Sequence, residues 1–268
     1  MPLLSGAIMP HGDAVLTNPA DRGPLASLCE NLEAIGAEIA RSRPEVIVIA
    51  SPHHLRLQGR IAIITSSYLE GGVGGGGNAT SLRLRVDREG ARAVEEEAAH
   101  MGLPMTACGY ATADESDLSV LPLDWGTLIP LSFVARAGDL PPVILVGPPR
   151  DIGLDPLRAF GAAVRRGLAD RRFTLIASAD LAHAHDPEGP YAFSPEADVY
   201  DGEVRLACES GDLSRLSALS PDLIEAAKAD APWQLAILEG ALGHPVLPTH
   251  VAYACPTYFG MLSALFTP

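Results

Sequence analysis

Residues 45–55 read EVIVIASPHHL. Five apolar residues in a row, most of them β-branched and without polar alternation, describe a strand buried on both faces, as in a parallel sheet covered by helices. The strand runs into a proline and then into two adjacent histidines, in a chain that holds only eight. In an open α/β sheet the ligand crevice lies outside the carboxyl ends of the strands, so this pair stands where chemistry is expected.

The same pattern recurs on either side. Strands are predicted at 3–9 (LLSGAIM), 45–51 (EVIVIAS), 60–66 (RIAIITS), 82–87 (LRLRVD), 142–147 (PVILVG) and 173–179 (FTLIASA). Helical spacing of apolar residues marks 24–41, 88–102, 155–170, 196–210 and 221–241. Strands alternating with helices predict an α/β fold, a central mixed, mostly parallel sheet flanked by helices. There is no internal repeat and no long polar linker, so residues 1–268 are read as one domain. The glycine-rich segment EGGVGGGGNATS, 70–81, lacks the GK[ST] of a phosphate cradle and joins two strands, which predicts a mobile hairpin loop or a lid.

With 47% apolar and 19% charged residues the composition is globular. A formal charge of −14 opposes binding to nucleic acid or to an anionic membrane surface. Cys29, Cys108, Cys208 and Cys255 form no CxxC pair and read as reduced, mostly buried thiols. The N-terminus lacks the form of a signal peptide and no apolar run is long enough to span a bilayer, so a cytoplasmic protein is expected.

Three predicted strands end in histidines: the first in MPHGD with His11, the second in SPHH with His53 and His54, and the last in SADLAHAHD with His183 and His185. Singly, such residues cap loops; jointly they suggest a metal centre, because imidazole is the commonest metal ligand and two histidines with one carboxylate leave coordination positions open. Asp13, Asp180, Asp230 and Glu239 are the candidate carboxylates. Asp13 and Asp180 could equally orient a neighbouring imidazole, Asp230 could cap the helix after it, and spacing leaves the choice open.

Taken in order, MPHGD, SPHH, LDWGTLIPLSF (123–133), SADLAH, GDLSRL (211–216), APWQLAILEGAL and YFGMLSALF (258–266) resemble the LigB-type class III extradiol dioxygenase superfamily, in its bacterial, Memo-like branch. The resemblance implies that His11, His54 and Asp230 are the metal ligands, with Asp230 in place of the family's glutamate or cysteine and Glu239 too close to GAL at 240–242 to serve. It also implies that His183 is the acid/base residue and that His53 touches substrate or supports the ligands. Trp125, in DWG, stands where ring-cleaving relatives carry a histidine, and is expected to line the ring pocket with Asp13 and Asp180 nearby.

The function so implied is cleavage of a catecholic or aminophenolic ring by dioxygen with Fe(II), the small aromatic compound and O2 being the partners, alone or as a homodimer or with a small second subunit. The alternative is a Memo-like protein that binds metal or peptide without ring cleavage; a zinc or other divalent site is a further expectation from the donor types. Substrate choice would fall to loops such as 70–81 and 109–121.

Overall fold

The protein's computed structural model describes residues 3–74, 79–111 and 116–268. In chain order, strand β1 (Leu3–Met9) leads through short 3-10 turns to helix α1 (Ala26–Ser42), then β2 (Val46–Ala50), β3 (Ile61–Ile64), β4 (Tyr68–Val73) and β5 (Thr80–Arg85). Next come α2 (Arg88–His100), β6 (Met105–Cys108), β7 (Val120–Pro122), α3 (Trp125–Ala137), β8 (Val143–Gly147) and α4 (Leu154–Gly167). β9 (Phe173–Ser178), α5 (Glu196–Glu209), α6 (Pro221–Ala226), α7 (Pro232–Leu242), β10 (Pro248–Ala254) and β11 (Met261–Phe266) complete the chain.

The main sheet has the order β10-β11-β1-β9-β2-β8-β3-β6, with a small sheet β5-β4-β7 beside it. Its centre is parallel: β1 and β2 both pair parallel with β9, and β2 pairs parallel with β8. The flanks β11 and β3 join antiparallel, so the sheet is mixed, as the sequence predicts. Four neighbouring strands therefore end side by side, which is what the site requires.

Burial of β2 on both faces follows from its alternation. Val46, Val48 and Ala50 pack with residues of α2, α4, α5 and α7, while Ile47 and Ile49 pack with α1 and α3 on the opposite face. Helix α3 lies where the sequence predicts no helix, and it contains two poor helix formers, Gly126 and Pro130. Asp124 starts it, its carboxylate accepting from the Thr127 backbone N–H at 2.9 Å, and the apolar surroundings on all sides hold it.

Two expectations are corrected. The single helix predicted over 221–241 is two, α6 and α7, since Lys228 turns to a positive φ of 52°, Pro232 has no N–H to carry the helical ladder back to it, and the intervening residues pair elsewhere: the His183 N–H donates to the Ala227 carbonyl and the Asp230 N–H to the Leu181 carbonyl. In the segment 70–81, residues 70–73 and 80–81 are hairpin strand, β4 against β5, so the loop is shorter than predicted; its glycine tip 75–78 lies outside the described residues, as do 112–115 of the second loop. Among the cysteines Cys29 and Cys208 are buried, Cys108 and Cys255 half-buried, and all four are free. No helix among the described residues is long and apolar enough to cross a membrane.

Helix α7, which sets the position of Asp230, crosses α4 through glycines. A Cβ on Gly161 would strike the Ile237 carbonyl, and one on Gly240 the Arg158 carbonyl. Backbone cannot yield as a side-chain tip does, so Gly240→Ala should lower the unfolding free energy by about 1–3 kcal/mol in denaturant titration despite alanine's better helix propensity. A stabilised variant would contradict this packing.

Candidate metal centre

The parallel strands deliver their carboxyl-terminal residues to one place. His11 follows β1, Asp180 and His183 follow β9, His53 follows β2, and Arg150 follows β8, while the backbone pairing of 227–230 with 181–183 brings in Asp230. His11, His53 and Asp230 form a group whose ligand atoms lie within 4.8 Å of one another.

The proton on His11 can be placed. Its Nδ1 is 2.9 Å from Ser178 Oγ, and that hydroxyl donates its one proton to the Gly126 carbonyl. Ser178 must then accept from Nδ1–H, which leaves His11 Nε2 bare and facing the group. The Gly126 carbonyl is available because residue 130, which would donate to it in a regular helix, is proline. Pro130 thus acts on the tautomer of His11 through two hydrogen bonds.

His11 Nε2 lies 2.9 Å from His53 Nε2, 3.6 Å from Asp230 Oδ2 and 3.4 Å from Asp180 Oδ2. Two nitrogen ligands at about 2.1 Å from one ion and at right angles to each other stand about 3.0 Å apart, so the imidazole pair has coordination spacing. Asp230 Oδ2 is buried and has no hydrogen-bond partner among the described residues. An aimed, unsatisfied carboxylate oxygen beside a bare imidazole nitrogen fits a divalent cation.

The second histidine of this group is His53, where His54 was expected. The strand stops at Ala50 and a turn follows; Ser51 Oγ donates to Asp124 at 2.6 Å and accepts the His53 N–H at 3.3 Å, which aims the first imidazole of the pair inward. Trp125 covers it, ring centroids 4.2 Å apart. His54 interacts instead with the Pro122 carbonyl and keeps a buried, unpartnered Nδ1. Asp13 is exposed on the turn after β1. Asp180 is buried and accepts the His11 N–H at 3.0 Å, so it holds the backbone of His11. Asp230 is not a helix cap; its Oδ1 takes the guanidinium of Arg150. Arg150 itself lay outside the sequence reading, because an arginine after a strand looks like any solvated charge. Glu239 pairs with Arg158 on the outer side of α7.

Burial dominates the electrostatics. It pushes the imidazoles of His11, His54 and His183 below their usual pKa and that of His53 down to about 3, so these rings are neutral and ready to bind at pH 7. It pushes Asp180 up to about 6 and raises Asp230, where the charge of Arg150, and that of His11 whenever its ring is protonated, oppose it. His183 donates Nδ1–H to the Leu181 carbonyl at 3.0 Å and stacks on Phe259, centroids 5.2 Å apart. Its Nε2 is left as an acceptor.

The loop carrying His183 is clamped from behind. Buried Asp201 accepts from the Ala182 N–H at 2.9 Å, from His185 Nε2 at 2.9 Å and from the Tyr253 hydroxyl at 2.8 Å. That bond raises the pKa of His185.

Residues 5–265 match the family described as the catalytic LigB subunit of aromatic ring-opening dioxygenase. The chain belongs to the LigB family. It is 22% identical over 240 residues to Protein CA_C1420 of Clostridium acetobutylicum, a match covering 88% of this chain and 51% of that protein, so the chain spans about half the length of this curated relative. Its fold is similar to that of the uncharacterized protein JW3007 from Escherichia coli K12, with a TM-score of 0.63, 14% identity and coverage of 98% of this chain and 99% of that one.

His53→Ala should weaken divalent-metal binding, measured by calorimetry, by more than about a hundredfold, beyond the effect typical of a supporting residue. His54→Ala should retain most of it; the reverse order would return His54 to the ligand set. The raised pKa of His185 means that its stabilisation is complete below pH 6.5 and is lost as the pH rises through the raised value. The melting-temperature gap between wild type and His185→Gln should therefore narrow from pH 6 to pH 9.

Proposed function

We propose that this LigB-family protein is a metal-dependent ring-opening dioxygenase, with ferrous iron as its metal and a small catecholic or aminophenolic compound as substrate. The observation that supports it most is the group His11, His53 and Asp230, two imidazoles that face each other through Nε2 and one unsatisfied carboxylate oxygen at the carboxyl edge of the sheet. A ferrous ion bound there would supply one-electron exchange between an aromatic ring and dioxygen, with positions left open for both. Two hydrogen bonds fix the nitrogen that His11 presents, and Asp180 holds its backbone.

The remaining work is proton transfer and binding. A phenolic substrate must lose a proton to bind as an anion, and His183 Nε2, neutral through burial, is the acceptor. Beside His53 a cavity of about 550 Å³ is walled by Leu55, Val73, Leu121, Leu123 and Trp125, a size and lining suited to one aromatic ring. Trp125 contributes a planar face and no proton.

Trp125 also favours a second reading, a Memo-like protein that binds metal and ligand in this cavity without cleaving a ring, because indole cannot relay a proton. The two are separated by loading the protein with ferrous iron anaerobically, then admitting air with simple catechols and following oxygen uptake and the yellow ring-opened products. Uptake with colour is expected, and His183→Ala should lower kcat by about 10²–10⁴-fold while iron content stays stoichiometric. Iron retention and catechol binding without oxygen uptake would overturn the dioxygenase reading in favour of the second.

A further inference from the structure

Ten large apolar side chains stand well exposed among the described residues, and four of them fall in one short stretch: Tyr191, Phe193, Val199 and Leu206, each about half exposed. The first two lie on the loop after β9 and the others on α5. Ala197, Tyr200, Asp201, Val204, Ala207 and Cys208 are buried and define the face that α5 turns to the protein. At 3.6 residues per turn, Pro195, Val199, Gly202 and Leu206 follow one another at i, i+4, i+7 and i+11 down the opposite, exposed face. A Cβ at Gly202 would meet nothing within 4 Å, so the middle of this stripe is open to close approach. An exposed apolar patch rimmed by polar residues marks a contact surface.

The charges beside the stripe identify its occupant. Asp198 and Arg205 lie on one flank, on either side of Gly202 along the helix. An antiparallel copy of α5 crossing at Gly202 reverses the order of residues about that point. Leu206 of one chain then falls beside Val199 of the other and Arg205 beside Asp198, each pair occurring twice, because a two-fold interface uses the same patch on both sides. Both charges are accessible: Asp198 is 80% exposed although it also receives His185 Nδ1 at 3.2 Å, and Arg205 is exposed while resting on the Tyr253 ring. Glu203, on the other flank, would meet its own copy at the solvated rim, where like charges cost little at physiological salt. We propose that α5 is the interface of a homodimer, two copies packing antiparallel through Val199, Gly202 and Leu206, with Tyr191 and Phe193 at its edge. In a chain of formal charge −14 a self-association face has to carry its own compensating cation, and Arg205 supplies it. A standard interface buries about 800 Å² per partner, more than one face of a 14-residue helix provides, so the two aromatics extend it and the dissociation constant falls at about 1–100 μM.

The test is sedimentation equilibrium of the full chain from about 1 to 500 μM, a range that brackets the expected dissociation constant. The mass of wild type should rise from one chain to two, and by mass action its melting temperature should rise over the same range. Leu206→Glu, which sets an unpaired charge in the middle of the contact, should weaken association more than about a hundredfold. Its melting temperature at the lowest concentration should match that of wild type, as expected for a surface substitution. Asp198→Arg and Arg205→Asp should each weaken association by about tenfold or more, since each creates two like-charge contacts, and the double variant should return close to wild type. That rescue is a result that a role of either residue within its own chain would not give. A chain that stays monomeric at the highest concentration, a dimer indifferent to Leu206→Glu, or a double variant no better than the single ones would overturn the assignment, the first of these leaving the face to a different protein.

Discussion

The hydroxyl of Ser178 has one proton to give, and it goes to the carbonyl of Gly126. From that follows the state of His11: its Nδ1 must be the donor to Ser178, and its Nε2 must be a bare acceptor turned toward His53 and the two carboxylates. The opposite tautomer would put a proton on the nitrogen that faces His53 and Asp230. The carbonyl is open to Ser178 only because Pro130 cannot donate to it, so a residue that weakens α3 as a helix determines the ligand character of an imidazole on another element. Trp125 and Asp124 begin the same helix and hold His53, which makes α3 the element through which both imidazoles are oriented.

The group is costly to assemble. His11, Asp180 and Asp230 are all buried, and burial drives the imidazoles toward neutrality and the carboxyls toward their protonated forms. Arg150 offsets part of the charge of Asp230 from one side, leaving the second carboxylate oxygen unsatisfied on the other. A divalent cation would complete that balance at donors already held in place, the strand ends by the sheet and Asp230 by its pairing with the loop after β9.

The second layer of the site is mechanical. Asp201 collects three donors beneath the 181–185 loop, and α7 is locked onto α4 through Gly161 and Gly240, so His183 and Asp230 are carried by segments with little freedom to move independently. The cavity for a ring lies on the opposite flank, against β4, β7 and Trp125, where apolar walls meet Arg56.

Much of this is legible in the amino-acid sequence. Buried strands such as 46–50 announce themselves through uninterrupted β-branched residues, the parallel arrangement follows from their alternation with helices, and the rule that ligands gather at strand carboxyl ends drew attention to His11, His53, His54, His183 and Asp180. What could not be read was which imidazole of an adjacent pair turns inward, because a side chain beyond a strand is aimed by contacts distant in sequence: Ser51 with Asp124, and His53 with Trp125. For the same reason α3 was hidden by its proline, whose missing donor is balanced only by Ser178, and Arg150 acquired a role only once β8 lay beside β2. Local periodicity encodes strands and their burial; the direction of a polar side chain is set by partners that only folding brings near.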